Sequence, residues 1–321
     1  MKLVISIIEP YTKININNQY RGGIIVEKID IHVHAVPRRG INFYKSDKTI
    51  ATPEEIIEIY KKTGVGKGVI MPLRNCEFGN IFQGNEEVCI EIVNKYPDYF
   101  YWFCNIDPRN GDNTPQSDLS FYLEYYKDMG AKGVGEIGTN MYFDDPFVEN
   151  LFYHCQKNNM PVLFHMSTQI GESYGLVDEV GLPKLEKELA KFPDLILIGH
   201  SPSFWSHISD DLTAENWKDW YYPKTKVIQD GSLVKLMRKY PNLYGDISAA
   251  SGNNALLRDP EFSYDFLEEF QDQILFGTDI SHKDFYLNTS SWLDEAVENG
   301  KISYKAYEKI SRGNALKFLE S

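Results

Sequence analysis

The sequence predicts an α/β protein folded as one (β/α)8 TIM barrel, and three observations support this prediction. The chain has 321 residues, a length that suits one such barrel with insertions. Eight apolar segments with strand character alternate with helical segments, an order that produces crossover connections and a parallel sheet. Histidines and carboxylates close several of these strands, where a barrel collects its functional groups. A doubly wound sheet is the main alternative, but the chain has no glycine-rich phosphate-binding fingerprint.

An N-terminal extension over residues 1–25 precedes a predicted barrel domain over residues 26–321. Apolar runs bounded by turn residues predict strands at 26–34, 66–72, 99–106, 131–137, 161–165, 195–200, 242–247 and 273–279. Helices are expected at 53–62, 85–96, 119–129, 146–157, 184–192, 233–240 and 264–270. Thr52 is the expected N-cap of the first helix, and Pro53 is its first residue. Three tail segments, 292–298, 303–311 and 314–319, are expected as surface helices on the outside of the barrel.

A long insertion over residues 201–226 interrupts this repeat. It is rich in aromatic residues, which are Trp205, Trp217, Trp220, Tyr221 and Tyr222. A loop of this length in a compact domain is usually functional, so we expect a lid over the site. Packing of these aromatic residues on neighbouring helices or in a dimer contact is the alternative.

The composition narrows the classes of function. A net charge of −13 and a pI near 5.1 argue against binding to nucleic-acid phosphates or to an anionic membrane. The four cysteines form no CxxC pair, so we expect reduced thiols in a cytoplasmic protein. The apolar run at residues 3–8 is too short to span a membrane and is followed by no cleavage-site pattern. The expected partners are a small-molecule substrate and, as an ordinary arrangement for such a barrel, a second copy of the chain.

The first strand carries two histidines, His32 and His34, in alternate positions. Because side chains two apart on a strand leave on the same face, both imidazoles are expected to point one way and Ile31 and Val33 the other. A His-x-His pair alone is a weak signal, since a strand histidine is often a hydrogen-bonded structural residue. Its interpretation as a metal site depends on further ligands from distant strands.

Such ligands are expected at the ends of four other strands. They are Glu136 on the fourth strand, His165 on the fifth, His200 on the sixth and Asp279 on the eighth. One histidine that closes an apolar run is commonly structural, but four imidazoles and two carboxylates at one face of one barrel predict a divalent metal site. Imidazole and carboxylate ligands suit zinc first, and also manganese, iron or nickel.

At these residues the chain resembles the amidohydrolase superfamily, and specifically its amidohydrolase-related (amidohydrolase 2) branch. The matching segments, in order, are IDIHVHA at 29–35, GVGEIG at 133–138, PVLFH at 161–165, LILIGH at 195–200 and LFGTDIS at 275–281. The last segment lacks the proline that commonly follows the aspartate in this family, which bears on loop shape. The resemblance spans most of residues 26–320 and implies a barrel with one or two metal ions.

Two ligand arrangements follow from the resemblance. In the binuclear one, His32, His34 and Asp279 hold one ion, Glu136 bridges, and His165 and His200 hold the second. In the mononuclear one, His32, His34, His165 and Asp279 hold a single ion, and His200 is free for acid–base work. Glu136 favours two ions, and its alternative role is to orient a ligand histidine.

The predicted mechanism is metal-assisted hydrolysis of an ester, lactone, amide or phosphoester. Water activated by the ion attacks, and Asp279 takes its proton and passes it to the leaving group. A lyase of the same branch, a decarboxylase or hydratase acting on an aromatic or unsaturated acid, is the alternative, with His200 or Asp279 moving a proton. A metal-binding protein without catalysis and a relative of the superfamily's deoxyribonucleases are weaker alternatives.

Three further residues are candidate substrate contacts. Arg74 suits a substrate carboxylate because its guanidinium binds oxyanions in bidentate fashion, although an exposed loop arginine is the simpler interpretation. Asp246 is expected to hydrogen-bond either a ligand imidazole or the substrate. His282 lies shortly beyond Asp279 and is expected to face the pocket.

Overall fold

The computed structural model of the protein describes residues 25–320, apart from residues 44, 74–83, 172 and 220. Arg74 and all but the last residue of the predicted N-terminal extension lie outside the described residues. Among the described helices, none has the length and apolar character needed to cross a membrane.

The described residues contain nine strands, and eight of them form the barrel. The strands are β1 (Lys28–Val33), β2 (Val65–Ile70), β3 (Phe100–Trp102), β4 (Val134–Ile137), β5 (Val162–Ser167), β6 (Leu176–Val177), β7 (Leu197–His200), β8 (Leu243–Asp246) and β9 (Ile274–Leu275). They pair in parallel in the orders β1-β2-β3 and β4-β5-β7-β8-β9, and β6 adds to β5. Parallel bridges between Cys104 and Val134 and between Val33 and Ile280 connect the two sheets at both seams. The predicted parallel barrel is therefore confirmed.

Helices alternate with these strands as predicted, and the described residues add two α-helices that were not predicted, a short one at 202–205 in the insertion and one at 249–257 after it. They are α1 (Pro53–Thr63), α2 (Glu86–Lys95), α3 (Ser120–Asp128), α4 (Pro146–Lys157), α5 (Pro183–Lys191), α6 (Pro202–Trp205), α7 (Ser232–Lys239), α8 (Ala249–Leu257), α9 (Pro260–Glu269), α10 (Thr289–Glu298), α11 (Tyr304–Glu308) and α12 (Asn314–Leu319). Thr52 and Glu55 form a reciprocal capping box at the start of α1. The helix ends at Gly64, whose φ of 72° is in the left-handed region that glycine adopts readily.

The buried apolar side chains form two clusters, a smaller one inside the barrel and a larger one between the strands and the helices. The smaller cluster takes residues from seven barrel strands, including Ile31, Phe103 and Ile198, which can meet only on the barrel axis. Phe318 and Leu319 of α12 belong to the same inner cluster. The prediction that all three tail helices pack on the outside is therefore wrong for α12, because its apolar face covers the interior at the end of the barrel opposite the histidines.

The alternation predicted for β1 is interrupted. Ile31 belongs to the inner cluster, but Val33 belongs to the larger cluster between strands and helices. The pairing register of β1 with β2 shifts between Asp30 and Val33, as at a β-bulge. The prediction that Ile31 and Val33 share a face is wrong, and the shift brings His32 inward directly after Ile31.

The aromatic insertion divides into a buried and an exposed part. Trp205 and Trp217 are buried in the larger cluster, with 2% and 6% of their surface exposed. Tyr222 is 51% exposed. The first part of the insertion therefore packs as core, and the lid prediction stays a prediction for the segment around Tyr222.

Candidate metal centre

Each of the four strand-end histidines has its Nδ1 atom engaged by a protein acceptor. His34 Nδ1 lies 3.1 Å from the carbonyl oxygen of Met71, and His165 Nδ1 lies 3.2 Å from that of Tyr174. A carbonyl oxygen only accepts, so both rings carry the proton on Nδ1 and present Nε2 as a lone pair. This is the tautomer that a metal-ligating histidine uses when its other nitrogen is held by a carbonyl or carboxylate.

His200 Nδ1 forms a hydrogen bond with the Ser248 hydroxyl oxygen at 3.0 Å, and both this nitrogen and His32 Nδ1 lie beside one carboxylate, that of Asp246. Its Oδ2 atom lies 2.8 Å from His32 Nδ1 and 3.1 Å from His200 Nδ1. Ser248 donates its hydroxyl to the same oxygen at 2.7 Å, and its backbone N–H donates to Oδ1 at 2.9 Å. Asp246 is fully buried. Of its two predicted roles, the geometry favours the hydrogen bond to ligand imidazoles over contact with a substrate.

The remaining nitrogens and two carboxylates converge on one space. His32 Nε2 and His34 Nε2 lie 3.1 Å apart, close to the separation of about 3.3 Å that two nitrogens on one tetrahedral zinc ion have. Asp279 Oδ1 lies 3.7 Å from the first and 3.5 Å from the second, and Glu136 Oε2 lies 3.8 Å from both. We call this set of six residues, His32, His34, Glu136, His165, His200 and Asp279, the candidate metal centre.

Glu136 belongs to two groups of possible ligands at once. One group joins it to His32 and His34, the other to His165 and His200, and within each group the ligand atoms lie within 4.8 Å of one another. Asn105, which follows β3, donates its side-chain amide to the Glu136 backbone carbonyl at 2.6 Å. Glu136 thus lies between the two histidine pairs.

The electrostatics fit a cation. Burial alone would lower the pKa of His32, but Asp279, Asp246 and Glu136 outweigh it and raise that pKa to about 10. Burial lowers the pKa of His165 to about 4, against the opposing effect of Glu136. Because a divalent cation would satisfy the same negative charges with the same inward nitrogens, the donor set fits such an ion.

Asp279 is positioned by a buried residue that the sequence reasoning missed, Asp30. Its carboxylate accepts hydrogen bonds from the His32 backbone N–H at 3.0 Å and from the Tyr60 hydroxyl at 2.7 Å. It also accepts from the Thr278 N–H at 2.8 Å and the Thr278 hydroxyl at 2.5 Å. Asp30 thus ties β1 to the residue before Asp279. An acidic residue within the apolar run of the first strand is the signal that could have identified it.

His282 lies apart from the candidate metal centre. Its Nε2 is 3.4 Å from Lys48 Nζ, and its ring packs edge-on against Phe285. No hydrogen bond or ion pair joins it to the six residues of the centre within the described part of the chain. Its predicted contact with substrate stays a prediction.

The chain belongs to the amidohydrolase family (Amidohydro_2), whose model matches residues 29–320. No curated protein sequence matches it at a significant level. The structure is similar to an uncharacterised TIM-barrel protein from Bordetella bronchiseptica, with 19% identity, a TM-score of 0.60 and coverage of 92% of this chain and 99% of the other.

Two further similar structures carry descriptions of reactions. One is a probable 2-pyrone-4,6-dicarboxylic acid hydrolase from Acinetobacter baumannii, with 14% identity, a TM-score of 0.56 and coverage of 92% and 100%. The other is a 5-carboxyvanillate decarboxylase from Novosphingobium aromaticivorans complexed with manganese, with 13% identity, a TM-score of 0.59 and coverage of 93% and 97%. At these identities the likeness shows the fold alone.

Proposed function

We propose that the protein is a metal-dependent hydrolase acting on a small-molecule ester, lactone, amide or phosphoester. The observation that carries the proposal is the position of Glu136 between two histidine pairs, with its ligand atoms within 4.8 Å of those in each pair. A carboxylate shared in this way is what a bridged two-ion site requires. When bound, divalent ions supply Lewis acidity and activate water for attack.

The residues of this chain would then divide the work. His32 and His34 would hold one ion with Asp279, His165 and His200 would hold the other, and Glu136 would serve both. Asp279 lies beside the inward nitrogens and takes the proton of the attacking water, because burial raises the pKa of this carboxyl while the imidazoles around it oppose that rise. Asp246 holds His32 and His200 in the tautomer that binds metal.

Zinc is the first choice of ion because its usual ligands are imidazole and carboxylate, and manganese, iron or nickel would fit the same donors. The mouth of the site supports a small substrate with an aromatic or otherwise planar part. The Tyr174 ring lies over the His165 ring with 4.1 Å between centroids. Partial burial and the charge of Asp279 raise the pKa of the half-exposed Tyr222 phenol.

Metal content per chain, measured by elemental analysis, tests the proposal together with Glu136→Gln. We expect near two ions per chain in the wild type and near one in the variant, because glutamine bridges poorly. Glu149→Gln, which changes a partly buried ion-paired carboxylate on α4, is the control and keeps the wild-type content. One ion per chain in all three proteins would contradict the two-ion site.

That outcome would favour a second candidate, a metal-dependent decarboxylase or hydratase. His200 Nε2 lies 4.0 Å from Asp279 Oδ2, so with a single ion on His32, His34, His165 and Asp279 the free His200 imidazole would be placed to move a proton beside it. The likeness to the 5-carboxyvanillate decarboxylase crystallised with manganese is compatible with this candidate. Assays for carbon dioxide release from aromatic carboxylic acids and for hydrolysis of lactones distinguish this candidate from the proposed hydrolase.

A further inference from the structure

The loop that follows β5 lies against His165, one of the candidate metal ligands. We call its described residues, 168–171 and 173–175, the Tyr174 loop. The Tyr174 carbonyl oxygen lies 3.2 Å from His165 Nδ1, and the Tyr174 ring lies over the His165 ring with 4.1 Å between centroids. One residue of this loop therefore contacts both the nitrogen that fixes the tautomer of His165 and the face of its ring.

Gly175 permits this close approach of the loop to His165. Its φ is 113°, in the left-handed region that favours glycine. A Cβ atom at this position would lie 2.7 Å from the His165 carbonyl oxygen and 2.8 Å from His165 Nδ1, closer than such atoms approach. The Gly175 backbone N–H donates to the Gly138 carbonyl oxygen at 2.7 Å. The loop is thus fitted to His165 on one side and joined to the segment after β4 on the other.

Asn140, which also follows β4, holds the Tyr174 loop at three points with one side chain. Its Nδ2 atom donates to the carbonyl oxygens of Gln169 at 3.3 Å and Gly175 at 3.2 Å. Its Oδ1 atom accepts from the Gly171 backbone N–H at 2.6 Å. A side-chain amide offers two N–H donors and one acceptor oxygen. All of these groups are used here on the backbone of a single loop.

The hydrogen bonds of Asn140 connect two strand ends that supply candidate ligands. Glu136 stands on β4, four residues before Asn140, and His165 stands on β5. A histidine whose Nδ1 loses its acceptor can exchange tautomers, which would place a proton on the nitrogen that a metal needs. The hold on the loop therefore matters for metal binding as well as for the stability of the loop.

We propose that Asn140 is a positioning residue for metal binding and acts on His165 through the Tyr174 loop. It keeps the Tyr174 carbonyl against His165 Nδ1, so His165 Nε2 stays unprotonated and directed into the candidate metal centre. His165 is a ligand in both the one-ion and the two-ion arrangement. The inference thus rests on the metal centre of the proposed function, but neither on the number of ions nor on the reaction.

Zinc affinity of the full chain, measured by competition with a chromophoric chelator, tests this inference without any substrate. Asn140→Ala should lower the affinity about tenfold, the lower end of the range for loss of a group that orients a ligand. If two ions bind, the loss should fall on one of them. Gly175→Ala, which pushes the loop away from His165, should lower the affinity at least as much and tests the inference if Asn140→Ala does not fold.

Asn150→Ala is the matched control. Asn150 is a partly buried asparagine on α4, and its Nδ2 donates to the Ser117 carbonyl oxygen at 2.9 Å. Its substitution also removes a hydrogen bond from a side-chain amide to the backbone, so it should lower the melting temperature and leave zinc affinity unchanged. Equal zinc affinity in the wild type and in Asn140→Ala would overturn the inference, because Asn140 would then stabilise the loop alone.

Combination with His165→Ala shows whether Asn140 acts through this ligand. In that background Asn140→Ala should lower zinc affinity by less than about twofold further, since the residue that it positions is gone. Additive losses in the double variant would overturn the inference. A wild-type protein that bound no zinc would remove the metal centre and this inference with it, whereas zinc binding without hydrolysis would contradict only the proposed reaction.

Discussion

In the candidate metal centre every inward imidazole is held by a protein acceptor on its other nitrogen, whereas beneath the insertion the Arg258 guanidinium and the Ser251 hydroxyl are buried without hydrogen-bond partners among the described residues. The two regions are therefore expected to respond differently to substitution. A held group is preorganised, so removal of its partner damages the site, while an unpaired group costs stability until a ligand or a substitution relieves it.

Glu188 on α5 is a third case and resembles Arg258 and Ser251, because it too is buried without hydrogen-bond partners among the described residues. Its side chain is fully buried, and neither carboxylate oxygen has a hydrogen-bond partner among the described residues. Lys187 Nζ lies 3.8 Å from Oε1, beyond hydrogen-bond length. Burial, with a smaller effect of Glu149, raises the pKa of Glu188 to about 7. The candidate metal centre is thus a satisfied polar cluster, whereas Arg258 with Ser251, and Glu188, are unsatisfied ones.

The largest effect is expected inside the satisfied cluster, at Asp279. Asp279→Asn should lower turnover by about 10²–10⁴-fold, the range for loss of a general base, while it lowers metal content less. The measurement is kcat on an ester or lactone substrate, with metal content determined on the same sample. Asp284→Asn, an exposed carboxylate in the following loop, is the matched control. Wild-type turnover in Asp279→Asn would remove this residue from the mechanism.

A smaller effect, a loss of zinc affinity, is expected when the carboxylate that lies behind the ligand imidazoles of the candidate metal centre is changed. Asp246→Asn removes the charge that holds His32 and His200, so affinity for zinc should fall about 10–100-fold. Competition with a chromophoric chelator measures this affinity without any substrate. Asp178→Asn, which changes a buried carboxylate that accepts hydrogen bonds from the backbone of α5, should lower stability and leave zinc affinity unchanged. Equal zinc affinity in wild type and Asp246→Asn would show that Asp246 does not hold the ligands.

The smallest expected effect is a gain in stability instead of a loss of function, and it concerns Glu188. Its folded-state pKa of about 7 lies above the ordinary value of 4.5, so the folded state binds the extra proton between these values and stability falls as pH rises through this window. Glu188→Gln removes this dependence. Above pH 7 the variant should be more stable than the wild type by about 1–3 kcal/mol, and near pH 4.5 the two should be alike.

Chemical denaturation at pH 4.5, 6 and 8 measures this difference. Glu186→Gln, on the same helix, is the control, because the exposed Glu186 pairs with Lys239 at 2.6 Å and its pKa is lowered. That substitution should change stability little or slightly reduce it at pH 8. If Glu188→Gln were no more stable than the wild type at pH 8, Glu188 would have a partner in solution.

Local patterns were sufficient for most of the elements. The span 146–157 was predicted at its observed bounds, because Pro146 begins α4 and its apolar spacing is regular. Helix α9 begins at Pro260, earlier than the predicted 264, because a proline after Asp259 starts the helix before its apolar face appears. Helix α8 was not predicted, since its Ser, Gly and Asn residues give little helical periodicity.

The sequence by itself determined the strand–helix alternation and which residues stand at the strand ends, because both follow from spacing along the chain. It identified the six candidate ligands but not the distances between them. These are His32, His34, Glu136, His165, His200 and Asp279. Only the tertiary structure decided that the register shift in β1 brings His32 inward after Ile31, that Asp246 lies beside two imidazoles and that the Arg258 guanidinium has no hydrogen-bond partner among the described residues. These depend on pairing and packing between segments far apart in the chain, on which local periodicity carries no information.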